Sequence, residues 1–337
     1  MRSFPRPNIV LSRCIEFDHC RYDGSMIPSD FVAALKPHVS FIPVCAEMEI
    51  GLGVPRSPIR IVSIEGEPRL IQPATGLDVT DKMISFSRSF LGSLSGIDGF
   101  ILKFRSPSCG MKDIKVYSGP DKHSSVAKAP GFFGGAVVKS FPGLAVEDEG
   151  RLRNNNLREH FLTRIFTLAA YREVEREASM KRLIRFHTVN KLLLAAHSQK
   201  ESKVLGNIVA NREGQEISSL LKDYREHLEM ALKRPPRYTS KANVLMHSLG
   251  YFSSELSSEE KAFFLQSIER YKQKKLAFSA PLSILQSWIA RFDEKYLKSQ
   301  TFFEPFPEDL IELCRDTQCE WAGVELFEGR KAAKGPD

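Results

Sequence analysis

The chain has 337 residues, of which 42% are hydrophobic and 26% charged, the balance of a globular protein rather than a disordered one. No apolar run approaches the roughly 20 residues of a bilayer span, so neither a membrane-embedded chain nor a membrane partner is expected. The formal net charge of +7 permits a polyanionic partner without requiring one.

Met1-Arg2-Ser3-Phe4-Pro5-Arg6-Pro7 has no apolar core of a secretory signal, which predicts a cytoplasmic protein. Residues 1–150 hold 15 of the 21 glycines and 13 of the 19 prolines. Both residue types interrupt helices and build turns, so a strand-and-loop half precedes a helical one. Charge divides the same way, with net +1 in residues 1–150 and +6 in the remainder. The expected domains are 1–150 and 151–330, followed by a disordered tail at 331–337.

Asn8–Ser12, Val39–Val44 and Gly99–Phe104 are nearly continuous apolar runs, as strands covered on both faces require. Helical patterns at Ser29–Leu35 and Val79–Leu94 lie between them. This alternation predicts an α/β domain on a mostly parallel, Rossmann-like sheet. Ile59–Ile64 and Arg69-Leu70-Ile71, joined by Glu65-Gly66-Glu67-Pro68, read as an added antiparallel hairpin.

Cys14, Cys45 and Cys109 each fall just past one of the three apolar strands. In an open parallel sheet that edge is where ligands bind. There is no C-x-x-C pair of the kind structural zinc sites favour. Three separated thiolates with no fourth suit a [4Fe–4S] cluster with one open iron, and ordinary buried cysteines are the alternative. Cys20 lies nearby, while Cys314 and Cys319 read as packing or surface thiols.

The cysteine surroundings carry a resemblance. They are Cys14 followed by Cys20-Arg21-Tyr22-Asp23-Gly24, then Pro43-Val44-Cys45-Ala46-Glu47 with Gly51-Leu52-Gly53-Val54-Pro55-Arg56, then Ser106-Pro107-Ser108-Cys109-Gly110. In this order they resemble the thiouracil desulfidase (TudS) family, apart from Ala46 where members often carry proline. The resemblance implies a [4Fe–4S] cluster bound by Cys14, Cys45 and Cys109, whose open iron takes the thiocarbonyl sulfur while water adds at carbon. Sulfur would leave without net redox change. Glu47 is the expected acid/base and Ser106 the residue that positions water or the pyrimidine, with Ser108 and Ser12 as substitutes. Arg56 and Tyr22 are expected to shape the pocket, Asp23-Gly24 to make a turn, and Cys20 to be a neighbouring or buried thiol rather than a ligand.

Beyond residue 150 amphipathic patterns predict helices at Leu157–Glu175, Met180–His197, Lys203–Asn211, Glu216–Lys233, Ser240–Glu255, Ser257–Lys274, Leu282–Phe292 and Glu308–Arg315. Ser257 with Glu260 forms a candidate capping box, and Pro235-Pro236 and Pro281 are expected between helices. Phe186-His187-Thr188-Val189-Asn190-Lys191 through His197, and Asn243–Phe252, resemble the YbgA-type helical domain often fused behind the desulfidase. That fusion implies a macromolecular substrate, namely tRNA carrying 4-thiouridine, with no obligate protein partner. Lys233, Arg234, Arg237, Tyr238 and Lys241 form the densest cationic stretch with an aromatic, a pattern that suits phosphates and unstacked bases. His187, His197 and His247 are either structural histidines or parts of an unassigned polar site. The expected enzyme is therefore a non-redox desulfidase converting 4-thiouridine in tRNA to uridine. Free thiouracil or thiouridine as substrate, or a non-catalytic RNA-binding protein with a redox-sensing cluster, are the alternatives.

Overall fold

The computed structural model describes residues 2–120 and 124–311. Nine strands are described: β1 (Asn8–Ser12), β2 (Ser40–Val44), β3 (Arg60–Ile64), β4 (Glu67–Gln72), β5 (Leu77–Asp78), β6 (Gly99–Leu102), β7 (Ile114–Tyr117), β8 (Ser125–Ala129) and β9 (Ala145–Asp148). The helices of this half are α1 (Asp30–Leu35), α2 (Ala46–Glu49), α3 (Thr80–Ser93) and α4 (Phe132–Ser140).

β2, β1, β6 and β9 form, in that spatial order, a wholly parallel sheet. β1 thus lies between the strands that follow it in the chain, so the order reverses beside it and leaves a crevice at the carboxyl ends. The central strands β1 and β6 are almost wholly apolar and buried because both their faces are covered. Ile9, Leu11 and Ile101 pack with Phe31 and Leu35 of α1 on one face. Val10, Phe100 and Leu102 pack with Met83 of α3 and Phe133 of α4 on the other.

The hairpin is present as β3 and β4, but it belongs to a second sheet of order β5-β4-β3-β7-β8. β7 joins β3 in parallel and β8 joins β7 antiparallel.

No strand follows β9 among the described residues. The second half is built from α5 (Asn155–Glu177), α6 (Met180–His197), α7 (Gln199–Ala210), α8 (Ile217–Ala231), α9 (Tyr238–Leu249), α10 (Ser258–Lys272), α11 (Ser279–Arg291) and α12 (Lys295–Ser299). Local chemistry sets several starts. Asn154, Ser179 and Ser198 accept from backbone N–H groups at the amino ends of α5, α6 and α7, and Ser257 with Glu260 completes a capping box on α10. Pro235-Pro236 separates α8 from α9. Pro281 is different: it lies in the first turn of α11, where no intrahelical N–H is needed.

α5 packs along the parallel sheet through Phe161, Leu162 and Ile165. Leu168 and Tyr171 carry the opposite core onward to Leu183, Tyr224 and Leu228 of α6 and α8. A further core joins Leu192 and Leu193 of α6 to Leu245, Phe264 and Trp288 of α9, α10 and α11. No described helix is long and apolar enough to cross a membrane. Of the expected Glu308–Arg315 helix, Glu308–Leu310 forms a 3-10 turn. Cys314, Cys319 and the 331–337 tail lie outside the described residues.

Candidate active site at the strand carboxyl ends

Cys14 follows β1, Cys45 ends β2 at the N-cap of α2, and Cys109 lies in the turn after β6. Because β1 separates β2 from β6, these three carboxyl ends are neighbours. Cys14, Cys20, Cys45 and Cys109 are all buried and free of disulfides. The Cys45 thiol donates to the Cys20 carbonyl at 3.8 Å. The neighbouring Cys14 thiol, then burial, pushes the Cys20 thiol up to about 11. The neighbouring Cys20 thiol, then burial, pushes Cys45 higher still, and burial takes Cys109 up to about 12. A metal binding at Cys20, Cys45 or Cys109 must therefore displace a proton.

Among the described residues, no three His, Cys, Asp or Glu side chains form a set for a single metal ion. The soft donors, on three separate loops, fit an iron–sulfur cluster, which spreads its thiolates over different irons.

Glu47 is the second residue of α2, beside Cys45. Its Oε2 accepts from Nε and Nη2 of Arg56, both at 2.8 Å. Arg56 is nearly buried, with 4% of its side chain exposed, so this fork is shielded from water. Its Nη1 donates to the Cys20 carbonyl at 3.1 Å, tying the carboxylate to the thiol loop. Glu47 Oε1 accepts from the Ser108 hydroxyl at 2.7 Å. Ser108 is wholly buried, and its Oγ lies 2.8 Å from that of Ser106. Ser106 Oγ also accepts from the backbone N–H groups of Ser108 and Cys109 at 3.2 and 3.1 Å. Ser106 thus shapes the turn, and Ser108, its expected substitute, is the one that touches Glu47. Ser12 packs at the Cys109 sulfur and accepts from the Lys103 N–H.

What presents Cys109 is the start of α4. Backbone N–H groups of Phe132, Phe133 and Gly134 donate to the carbonyls of Pro107 and Ser108. These are donors a helix start leaves unpaired. A Cβ on Gly131 would stand 2.6 Å from the Ser108 oxygen, and one on Gly134 2.3 Å from the Cys109 oxygen. Only glycine allows this approach. The Gly131-Phe132-Phe133-Gly134-Gly135 cluster was the available sequence signal, and the elements read from sequence did not include α4.

Past the carboxyl ends of β6 and β9 a cavity of about 480 Å³ is lined by Arg21, Lys103, Phe104, Glu149, Arg151 and Arg153, with Ile27 and Gly150. Lys103 pairs with Glu149 and Arg151 with Glu147, leaving the exposed Arg153 without an ion pair among the described residues. The Cys20–Gly24 segment closes one wall. Asp23 accepts from the Ser25 N–H and hydroxyl, the expected turn, and Tyr22 is exposed.

In the helical half Lys233, Arg234, Arg237 and Tyr238 are exposed at the α8–α9 connection. Tyr238 packs on Tyr271 at 5.2 Å between centroids. Lys241 is turned inward instead: Nζ donates to Glu159 at 2.8 Å and lies 4.3 Å from the Phe278 ring centroid. It is not open to a phosphate. The histidines have separate surroundings. His187 bonds Tyr224, His247 faces Tyr251, and His197 bonds the Leu193 carbonyl and stacks on His160 at 5.7 Å.

The family model described as 2-thiouracil desulfurase matches residues 9–149, and one described as a protein of unknown function (DUF1722) matches residues 191–307. The uncharacterized protein YbgA of Escherichia coli (strain K12) is 31% identical over 148 residues, 43% of this chain and 88% of the relative. The uncharacterized protein YbbK of Bacillus subtilis (strain 168) is 33% identical over 109 residues, 30% of this chain and 72% of the relative. Among solved structures, the [4Fe-4S]-dependent thiouracil desulfidase TudS is 29% identical, with a TM-score of 0.34 over 44% of this chain and 93% of that one.

Proposed function

Because the chain belongs to the 2-thiouracil desulfurase family and carries a YbgA-like helical half, we propose that it converts 4-thiouridine in tRNA to uridine. One observation carries this reading: three buried thiols meet, at one sheet edge, a carboxylate gripped by Arg56 and bonded to Ser108. Cys14, Cys45 and Cys109 would hold a [4Fe–4S] cluster, which when bound supplies a Lewis acid toward the thiocarbonyl sulfur.

The protein's own groups handle the water and its protons. Arg56 occupies Oε2 of Glu47 and so aims Oε1 into the site. There it takes a proton from the water that adds to the carbon bearing sulfur. The Ser108 hydroxyl, shared between Glu47 and Ser106, steadies the ionised carboxylate and returns the proton as sulfur leaves. Water supplies the product oxygen and sulfur departs as sulfide, so no oxidation state changes. Ser106 contributes by holding the turn that presents Ser108 and Cys109.

The basic cavity at the carboxyl ends of β6 and β9 suits a substrate with a phosphate backbone better than a free base. Lys233, Arg234, Arg237 and Tyr238 supply a second, exposed contact for RNA. The thiolated nucleotide would have to leave its stack to reach the sheet edge. Acting on tRNA, the enzyme would work in the cytoplasm.

The test is anaerobic reconstitution with iron and sulfide, then incubation with thiolated tRNA and, separately, with free 4-thiouridine and 2-thiouracil. Nucleoside analysis should show 4-thiouridine in tRNA replaced by uridine. Unchanged tRNA alongside consumed free thiouracil would overturn the tRNA substrate, and an iron-free protein that remains active would overturn the cluster.

A further inference from the structure

The basic cavity has one aromatic wall. Phe104, two residues past β6, is 37% exposed there, although its backbone is firmly held. Glu149 accepts from the Phe104 N–H at 2.6 Å and from the Lys103 ammonium, which also donates to the Phe104 carbonyl at 2.7 Å. The ring rests on Gly150, where a Cβ would stand 3.0 Å from it. The Arg105 guanidinium lies 4.8 Å from the ring centroid. A ring fixed in this way loses little freedom when another flat partner covers it.

The cavity is joined to the thiol loops. Ile27, in its wall, donates its N–H to the Cys14 carbonyl at 2.8 Å, and Arg21 follows Cys20. The Lys103 N–H donates to Ser12 at 2.9 Å. The described walls include no thiol and none of Glu47, Arg56 or Ser108, so the cavity lies alongside the reacting centre rather than at it. Lys103, Arg151 and Arg21 face Glu149, Glu147 and Asp23. Arg105 and Arg153, both exposed, have no ion pair among the described residues.

We propose that Phe104 is a stacking platform for a base that neighbours the thiolated nucleotide in RNA. The inference rests on the tRNA substrate proposed above. The base lies on the ring in place of the Arg105 guanidinium, which turns to a backbone phosphate, with Arg153 as a second phosphate contact. Aromatic faces hold unstacked bases of any identity, and cations alongside them follow the backbone. A free thiopyrimidine has no neighbouring base and gains nothing from the ring. Phe104 is thus a positioning residue that acts on RNA alone.

The experiment compares the reconstituted full-length protein with its Phe104→Ala, Phe104→Leu and Phe104→Trp variants. It measures kcat and KM on thiolated tRNA, turnover of free 4-thiouridine and 2-thiouracil, and iron per chain. Phe104→Ala and Phe104→Leu should raise KM for tRNA about 10-fold, the loss of one stacked base. Their kcat, their iron and their turnover of the free compounds should stay at wild-type values. Phe104→Trp should keep the wild-type KM. An unchanged KM for tRNA in Phe104→Ala would overturn the platform and leave the tRNA substrate standing. A leucine variant equal to wild type would do the same, since apolar bulk would then suffice. Equal losses on tRNA and on the free compounds would also overturn it, because the ring would then serve the reacting centre. Wild-type protein inert toward thiolated tRNA but active on free 4-thiouridine would overturn the tRNA substrate, and the platform with it.

Discussion

At the carboxyl edge of the parallel sheet each polar side-chain atom of Glu47, Arg56 and Ser108 faces a partner. Between α5, α6 and α9 the opposite holds. Both ring nitrogens of His160, Nε2 of His197 and Nε of Arg164 are buried with none among the described residues. The two groups are alike in burial and differ in provision. The first has a fork for one carboxylate oxygen and a hydroxyl for the other, so it is preorganised for proton transfer. The second carries only the cost of removing polar atoms from water.

The comparison breaks most visibly at Glu47. Glu47→Gln removes the proposed proton acceptor and leaves Arg56 facing an amide, so single-turnover desulfuration should fall at least about 100-fold. Bound iron should stay at the wild-type level, which separates loss of chemistry from loss of the cluster. An unchanged rate would mean that water is activated elsewhere.

The histidine pair should show itself in acid. Burial first, then the His197 ring and the charges of Arg164 and Lys241, hold His160 down at about 2. Burial, with the same two cations, holds His197 at about 4, against an ordinary 6.5 for both. Glu159, the one facing acid, pairs with Lys241. As pH drops through 6.5 the unfolded chain takes up protons that the folded one refuses. Stability is therefore complete above that value and declines toward the folded values, by at most about 1.4 kcal/mol per pH unit for each histidine. Urea unfolding midpoints at pH 7 and pH 5 measure this, and His160→Phe should make the decline shallower. Equal slopes in variant and wild type would remove the histidines as its cause.

The smallest effect is expected at the surface. Arg234→Glu with Arg237→Glu should weaken tRNA binding and lower its salt slope by roughly one for each phosphate no longer neutralised. Turnover of free 4-thiouridine should not change. Lys241→Met should leave the slope untouched, because that lysine already neutralises Glu159.

Legibility in the sequence followed range. Cys14, Cys45 and Cys109 could be placed together because three apolar strands announce themselves and a parallel sheet brings their ends to one edge. The sequence favoured Ser106 over Ser108, yet it is Ser108 that bonds Glu47, because the turn held by α4 decides which of two hydroxyls only two residues apart reaches the carboxylate. β7, β8 and β9 are as short as the strands that were legible, but lysines or acids interrupt them (Lys115, Lys128, Glu147, Asp148), so they show no continuous apolar run. Lys241 looked free because its partner is 82 residues away. His160 gave no signal at all: nothing local marks a ring that stacks on His197, 37 residues away on α6.

The core that runs from Phe100 through Tyr171 to Tyr224 has one further consequence. A helical arm rooted in the sheet does not swing on a tether, so the span from the α8–α9 connection to the thiols behaves as a ruler. On the proposed tRNA substrate, such an instrument would select a nucleotide by its distance from the gripped backbone, so that one position could be chosen without reading any base around it.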